Sequence, residues 1–278
     1  MGVKTQQGGP SGRHFWKMTG SGNDFVFLDG RLPGAREFET PEAIGRLCSR
    51  TSGVGADGVV FIEPHGTEQF SIRYFNRDGS RGELCGNASL CSSRLAVQLG
   101  LARPDGFRFS TDVGPISGRL VGGDAEIDLQ PSTGLRPDAG IPLGPDELRM
   151  GFVDTGVPHL VVLCRDVGAV ELMRRGAELR RHPSLTAGAN VNFLSPAGLQ
   201  WRMRTYERGV EGETMACGTG SAASAILLEA WGLAKSPVEL VTTQGKILTV
   251  TVRRAGSEIR PSLRGEGRLV YSGELIEL

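Results

Sequence analysis

No apolar run in this sequence approaches the ~20 residues that a membrane-spanning helix needs, so no membrane partner is expected. An excess of charge is missing too, since 31 Lys and Arg balance 31 Asp and Glu. A chain without net charge has no electrostatic footprint for nucleic acid or an anionic surface. The arginine pairs at 174–175, 180–181 and 253–254 read as solvated faces. Cysteine is scarce and odd in number, with five residues at 48, 85, 91, 164 and 217. None of them shows C-x-x-C spacing. Cys85 and Cys91 suit neither a zinc knuckle nor one helix face, so no metal is expected. The opening stretch MGVKTQQGGPSGR lacks the apolar core of a secretion signal. Together with the odd thiol count, that points to a reducing cytoplasm and not to a disulfide framework. Residues 1–13 read as a disordered leader.

Helices are few, whereas short Val/Ile/Phe/Leu runs bounded by Gly, Pro, Asp or Asn recur along the chain. HFWKM, DFVFLD, GVVFIEP, FSIRYFN, HLVVLC, NVNFL, WRMRTYE and ILTVTV are all of strand length. PEAIGRLCSR (41–50) reads as a helix capped by Thr40 with Pro41 at its first position. VELMRRGAEL (170–179) is a second, and the two longest are SLCSSRLAVQLGL and SAASAILLEAWGL. Many strands with few helices give an α+β class.

The two long helices disclose a repeat. CGNASLCSSRLAVQLGL, from Cys85, lies over CGTGSAASAILLEAWGL, from Cys217, without gaps. The strand IRYFNRDG upstream lies over MRTYERG, one residue out of step. Downstream, Thr111, Gly114 and Ile116 keep the mutual spacing of Thr242, Gly245 and Ile247. Each half reads strand, loop, cysteine, helix, strand, which is the signature of two pseudo-symmetric domains. Both helices end in Gly-Leu, as a left-handed cap requires. Both are apolar on nearly every side, so each should be buried within its own sheet.

Each helix opens on a cysteine. The first turn offers unmatched N–H groups and partial positive charge, which favour a thiolate and also hold a carboxylate. Small residues follow, Gly86-Asn87 and Gly218-Thr219, and let the backbone approach a ligand closely. Two such motifs suit removal of a proton from one face of a carbon and its return on the other, next to a carboxylate. A redox disulfide between Cys85 and Cys217 is the other functional reading. Cys48, Cys91 and Cys164 read as small buried hydrophobes.

The stretches KMTGSGNDFVFLD, GVGADGVV, RYFNRDGSRGELCGN, TGVPHLVV, GANVNFL and RTYERGVEGETMACGTG occur in this order from about residue 14 onward. In them the chain resembles the diaminopimelate epimerase family, cofactor-independent two-cysteine epimerases of amino acids. The resemblance implies two like domains, each a barrel-like, mostly antiparallel sheet around a central helix, with the active site in the cleft between them. The domains would be 14–129 plus 263–278, and 130–262. It implies epimerisation between LL- and meso-diaminopimelate, the step before lysine and peptidoglycan cross-links, without cofactor. The catalytic thiols map to Cys85 and Cys217. His159 matches a group that assists one thiol, and Glu207 one that assists the other. The cradle for the reacting carboxylate maps to the backbone of Gly86, Asn87, Gly218 and Thr219. Asn23, Asn76, Asn190, Glu207 and Arg208 match the groups that hold the substrate, Arg208 as a fork for a carboxylate and Glu207 as an acceptor for an ammonium.

The chain departs from the family at several points. Val157-Pro158-His159 stands where Asn-Pro-His is common, so one substrate-contacting amide is missing. Thr19 and Ser21 replace the usual His and Leu, and Ala88 and Leu90 the usual Gly and Arg. The loop ERGVEGETMAC is one residue longer than the shorter family form, with Glu211 as the extra. A racemase of another amino acid, of the histidine, proline or hydroxyproline type, is the alternative within the same chemistry. A non-catalytic ligand-binding or redox relative is the alternative outside it. A homodimer is compatible with the sequence.

Overall fold

The computed structural model describes residues 12–82 and 84–277. Of the leader expected over residues 1–13, residues 1–11 lie outside them. In chain order the first elements are β1 His14–Gly20, β2 Asn23–Asp29, α1 Pro41–Cys48, β3 Gly58–Pro64, β4 Phe70–Asn76 and β5 Arg81–Gly82. Then come α2 Gly86–Gln98, β6 Phe107–Thr111, β7 Gly114–Val121, β8 Asp124–Asp128 and β9 Thr133–Arg136. The later part holds β10 Glu147–Asp154, β11 Pro158–Cys164, α3 Leu172–Arg180, β12 Asn190–Ala197, β13 Gln200–Glu207 and β14 Gly212–Thr214. It closes with α4 Gly218–Ala230, β15 Val238–Val241, β16 Ile247–Ala255, β17 Glu258–Gly265 and β18 Arg268–Glu274.

The chain divides into two compact units. The first holds the described residues up to Thr19, then Asp24–Ser117 and the segment from Gly267 on; the second holds Gly20–Asn23 and Gly118–Glu266. Residues 118–129 and 263–266 group with the second unit because β8 pairs antiparallel with β17, Asp128 opposite Ser262 through Ala125 opposite Gly265.

Within each unit the elements recur in one order. β2 pairs parallel with β3 and β3 antiparallel with β4, which also pairs parallel with β6. In the second unit β11 pairs parallel with β12 and β12 antiparallel with β13, which also pairs parallel with β15. The long helix lies against these strands in each case, α2 on β3 and β4, α4 on β10, β11, β12, β16 and β17. The short helix covers the other face. In the first unit Ala43, Ile44 and Leu47 of α1 pack with Val26, Leu28, Val59 and Phe61. In the second, Leu172 and Leu179 of α3 pack with Leu160, Val162, Val191, Phe193 and Tyr206.

The termini of the helices follow from their residues. The Thr40 side chain accepts from the Ala43 N–H at 3.2 Å, and Pro41 costs the first turn no hydrogen bond. Gly100 and Gly232 both have φ of 71°, a left-handed conformation in which a side chain is strained. The Leu101 N–H then reaches the Ala96 carbonyl and the Leu233 N–H the Leu228 carbonyl, closing the same motif at both ends. Serines inside the buried helices return their hydroxyls to the previous turn, Ser92 to Ala88 at 2.7 Å and Ser93 to Ser89 at 2.8 Å.

The motifs KMTGSGNDFVFLD and GVGADGVV meet in an ion cluster whose lysine is buried and whose arginine is exposed. Lys17 donates to Asp24 at 2.6 Å and to the Gly55 carbonyl, and Arg50 bridges Asp24 and Asp57. Burial raises the Asp24 carboxyl, but Arg50 and Lys17 more than reverse this and hold it below its ordinary value.

Leu227 is fully buried on α4, and a side chain at Gly151 of β10 would strike its Cδ2. Leu227→Ala should therefore lower the unfolding free energy by about 2–5 kcal/mol. Urea titration checks this: the midpoint should fall while the slope stays constant, and an unchanged midpoint would deny that α4 fills its sheet.

Candidate active site

Successive side chains of a strand point to opposite faces. On β11, β12 and β13 this sends Leu160, Val162, Val191, Phe193 and Tyr206 to α3. The alternate residues, His159, Asn190, Asn192, Met203, Thr205 and Glu207, therefore face α4. The Ser224 hydroxyl of α4 meets the Met203 sulfur at 3.5 Å, as this register requires. The polar members lie toward the N-terminal end of α4, where Cys217 stands.

Cys217 is the N-cap of α4, with extended backbone, and its sulfur accepts from the Gly220 N–H at 3.3 Å. The Thr219 hydroxyl lies 3.6 Å from the same sulfur. A Cβ at residue 220 would lie 2.2 Å from Asn192 Oδ1 and 3.1 Å from the Cys217 sulfur, so only glycine allows both neighbours. The Thr155 hydroxyl, in the turn between β10 and β11, donates to the Thr219 carbonyl at 3.3 Å and ties that turn to the helix start.

Asn190 and Arg208 are joined directly. The Arg208 main-chain N–H donates to Asn190 Oδ1 at 2.8 Å, and Asn190 Nδ2 donates to the Pro158 carbonyl at 3.4 Å. The Arg208 guanidinium donates to the Ala187 carbonyl at 3.1 Å. His159 is fully buried, and its Nε2 has no hydrogen-bond partner among the described residues. Burial first, and the Arg208 charge second, push its pKa down to about 3, so the ring is neutral at ordinary pH. Burial also raises the Glu207 carboxyl above its ordinary value, with the Thr214 hydroxyl pulling the other way. In this pocket of strand ends both groups are pushed toward their uncharged forms.

The first unit carries its own cluster. Cys85 is the N-cap of α2, with φ −127° and ψ 115° against −131° and 108° at Cys217. Asn87 is buried in the first turn, and Gly86 and Cys85 are half-buried. A small recess beside Cys85 is lined by Ile72, Tyr74, Gly82, Leu84, Thr111 and Asp112. Asn76, at the end of β4, donates to the Ser80 hydroxyl at 3.0 Å across a tight turn. Asn23 opens β2 and groups with the second unit. Cys48 and Cys164 are thiols that burial pushes up, to about 11 and about 12, and Cys91 is fully buried. None of the three has the environment of a reactive thiolate. No group of His, Cys, Asp or Glu able to hold a metal ion occurs among the described residues.

Sequence reasoning passed over Asn192, Thr205 and Thr155. The one available signal was the Asn-x-Asn spacing of 190 and 192, which puts both amides on one strand face. Glu211, recognised only as an extra residue, also has a structural task. Its carboxylate takes Arg180 at 3.1 Å and Arg181 at 3.0 Å, and it sits at φ 55°, which most residues avoid. It thereby pins the loop that carries Glu207 and Arg208.

Glu211→Ala should loosen that loop. Limited trypsinolysis reads this directly, because the bond after Arg208 should be cut several-fold faster than in the wild type. Equal cutting rates would remove Glu211 from this role. A second expectation concerns acid. Unfolded His159 binds a proton below its ordinary value of 6.5, whereas the folded residue binds one only near 3. Its contribution to stability is therefore intact above 6.5 and is lost as pH falls toward 3, at about 1.4 kcal/mol per pH unit. Denaturant titrations between about pH 6 and 5 should show this slope, above the ordinary range of carboxylates, with only the raised Glu207 carboxyl opposing it equally in the wild type and the variant. His159→Gln should flatten it, and an identical slope in that variant would contradict the buried, neutral imidazole.

The family model described as diaminopimelate epimerase matches residues 15–130 and 151–270. The diaminopimelate epimerase of Gemmatimonas aurantiaca is 46% identical over 276 residues, which covers 95% of this chain and 99% of that protein. That of Aquifex aeolicus is 36% identical over 275 residues, covering 95% and 98%. Among solved structures, the phenazine biosynthesis protein of the PhzF family from Bacillus anthracis matches with a TM-score of 0.71 at 13% identity, over 95% of this chain and 99% of that one. A hydroxyproline epimerase from Agrobacterium vitis matches with a TM-score of 0.65 at 17% identity, over 94% and 92%. These structural likenesses carry the fold alone, and the sequence matches carry more: the chain belongs to the diaminopimelate epimerase family.

Proposed function

We propose that this protein interconverts LL- and meso-diaminopimelate by two-base proton transfer at the α-carbon, with Cys85 and Cys217 as the two bases. The observation that carries the reading is a thiol at the N-cap of the long helix in each of two repeated units, in a chain of this family. One sulfur, as thiolate, takes the α-proton. The other, as thiol, gives a proton to the opposite face of the same carbon. The carbon inverts, and the two sulfurs exchange protonation states. Return of the enzyme to its starting state needs only proton exchange with solvent, so no cofactor enters the balance.

Negative charge builds on the substrate carboxylate as the α-proton leaves. The N–H groups at the starts of α2 and α4, at Gly86, Asn87, Gly218 and Thr219, suit that charge. His159 and Glu207 assist the thiols. Asn76, Asn190, Glu207 and Arg208 hold the substrate's far amino-acid end, Arg208 turning its fork from the Ala187 carbonyl to a carboxylate and Glu207 accepting from the ammonium, with Asn23 as a further contact to the substrate. The reaction belongs to lysine and peptidoglycan precursor supply, and we place it in the cytoplasm, where thiols stay reduced.

Cys85→Ala and Cys217→Ala should each abolish epimerisation, since each thiol serves one face. In deuterated solvent the wild type should wash deuterium into the α-position of diaminopimelate. Either alanine variant turning over near the wild-type rate would sink the two-base assignment, and a wild type that exchanges nothing would sink the epimerase reading itself.

The far end of the substrate supplies the second test. A thiolate is a weak base toward an α-hydrogen, so the carbon must be held closely between the sulfurs. Val157 offers no amide, which leaves Arg208 more of that task. Arg208→Ala should cut kcat/KM on diaminopimelate by the equivalent of roughly 2–5 kcal/mol. Amino acids with one head group should be poor substrates. Turnover of alanine, proline or histidine as fast as diaminopimelate would replace this reading by the general racemase.

A further inference from the structure

Asn192 makes no claim on a substrate, because the protein uses both ends of its amide. Its Nδ2 lies 3.3 Å from the Leu160 carbonyl, which can only accept. That end is therefore the NH2 group. Its Oδ1 accepts from the Thr205 hydroxyl at 2.9 Å. The remaining Nδ2 hydrogen meets His159 Nδ1 at 3.0 Å. An amide NH2 only donates, so Nδ1 must present its lone pair. A neutral imidazole with a lone pair on Nδ1 carries its proton on Nε2.

The other side of the ring completes the argument. Nε2 is buried, and the described residues give it no partner. A buried N–H left unmatched costs about 1–3 kcal/mol. An arrangement that fixes the ring so firmly on one side and leaves the opposite donor open points to an acceptor that arrives with the reaction. Gly220 enforces the geometry, since any side chain there would strike Asn192 Oδ1.

We propose that Thr205 and Asn192 are positioning residues that lock His159 as the neutral Nε2–H tautomer, so that it offers the reaction a hydrogen-bond donor and not a lone pair. Its part in the reaction rests on the epimerase reading; the tautomer does not. A ring that already holds a proton on Nε2, and receives an N–H on Nδ1, has no site for a proton from a thiol. His159 then lowers the energy of a neighbouring anion by donating to it, as an oxyanion-hole donor does. The low proton affinity of the buried ring keeps it from becoming an imidazolium instead.

The test is spectroscopic and needs no substrate. The full chain is labelled with 15N-histidine, and long-range 1H–15N correlations are recorded near neutral pH. The His159 signals are assigned by their loss in His159→Gln. The wild type should show a protonated Nε2 and an unprotonated Nδ1. Asn192→Asp presents an acceptor to Nδ1, so the proton pattern should move to Nδ1–H or to the doubly protonated ring, with kcat down about 10²-fold. Thr205→Val should weaken the lock and give mixed tautomers, whereas Thr205→Ser should restore the wild-type pattern. A wild-type ring protonated on Nδ1 would overturn the proposal, and so would an unchanged pattern in Asn192→Asp. If that variant does not fold, the wild-type spectrum and the Thr205 pair still decide. A wild type that shows Nε2–H yet exchanges no α-hydrogen would refute the epimerase reading and leave the tautomer standing.

Discussion

A helix that starts inside a sheet must find partners for N–H groups that its own carbonyls cannot reach. That constraint organises the second unit. Every residue of α4 from Gly220 to Leu228 is buried, so the body of the helix lies within the protein and only its first turn reaches partly exposed ground at Thr219. The Cys217 sulfur takes one N–H, at Gly220. The others face a region into which polar side chains of β11, β12 and β13 also point. A thiol at this place is both a cap and a group in the field of the helix terminus. The small residues behind it, Gly218, Thr219, Gly220 and Ser221, leave space for an anion and for Asn192.

The polar face beneath that helix start is costly to bury unless each group is matched. The matching is uneven, and the unevenness is informative. Asn192, Thr205 and Asn190 are engaged by neighbours within the protein. His159 keeps one nitrogen without a partner, and Glu207 keeps a carboxyl that burial makes easier to protonate. On this face the amides and the Thr205 hydroxyl are matched within the protein, while His159 and Glu207, the two groups proposed to assist the thiols, are left at energetic cost. Arg208 adds to the pattern, because its charge helps to keep His159 neutral.

What could be read from the sequence was whatever depends on near neighbours along the chain. The Thr40 cap, the two Gly-Leu helix ends and the cysteine before each long helix are local signals, and each appears where expected. The repeat was visible because gapless identity survives duplication. Strands β7 and β10 were not visible. Gly114, Pro115 and Gly118 make the first look like a turn, and Glu147, Arg149 and Gly151 break the apolar pattern of the second. Asn192, Thr205 and Thr155 were hidden for a different reason. Their roles arise from register across β11, β12 and β13 and from contact with a helix start, and no spacing along one strand encodes those partners. The grouping of residues 118–129 with the second unit likewise depends on β8 pairing with β17, more than 130 residues later.

The repeat also leaves the two units with unlike side chains at matching strand registers. In the second unit His159 pairs with Asn190 and Asn192 with Thr205. At the matching registers of the first unit Phe25 pairs with Gly58 and Val60 with Tyr74. One set is polar and linked by hydrogen bonds, whereas the other is apolar, with the Phe25 and Tyr74 rings edge to face at 6.1 Å. The backbone scaffold and the cysteine at the helix start are common to both units. The machinery that fixes a tautomer belongs to the second alone. A reaction that only exchanges a proton between two faces does not demand equal bases. The proposed reaction demands that each sulfur be able to hold the proton in turn, and one scaffold can serve it while the strand face of one unit packs aromatic rings and that of the other links its dipoles by hydrogen bonds.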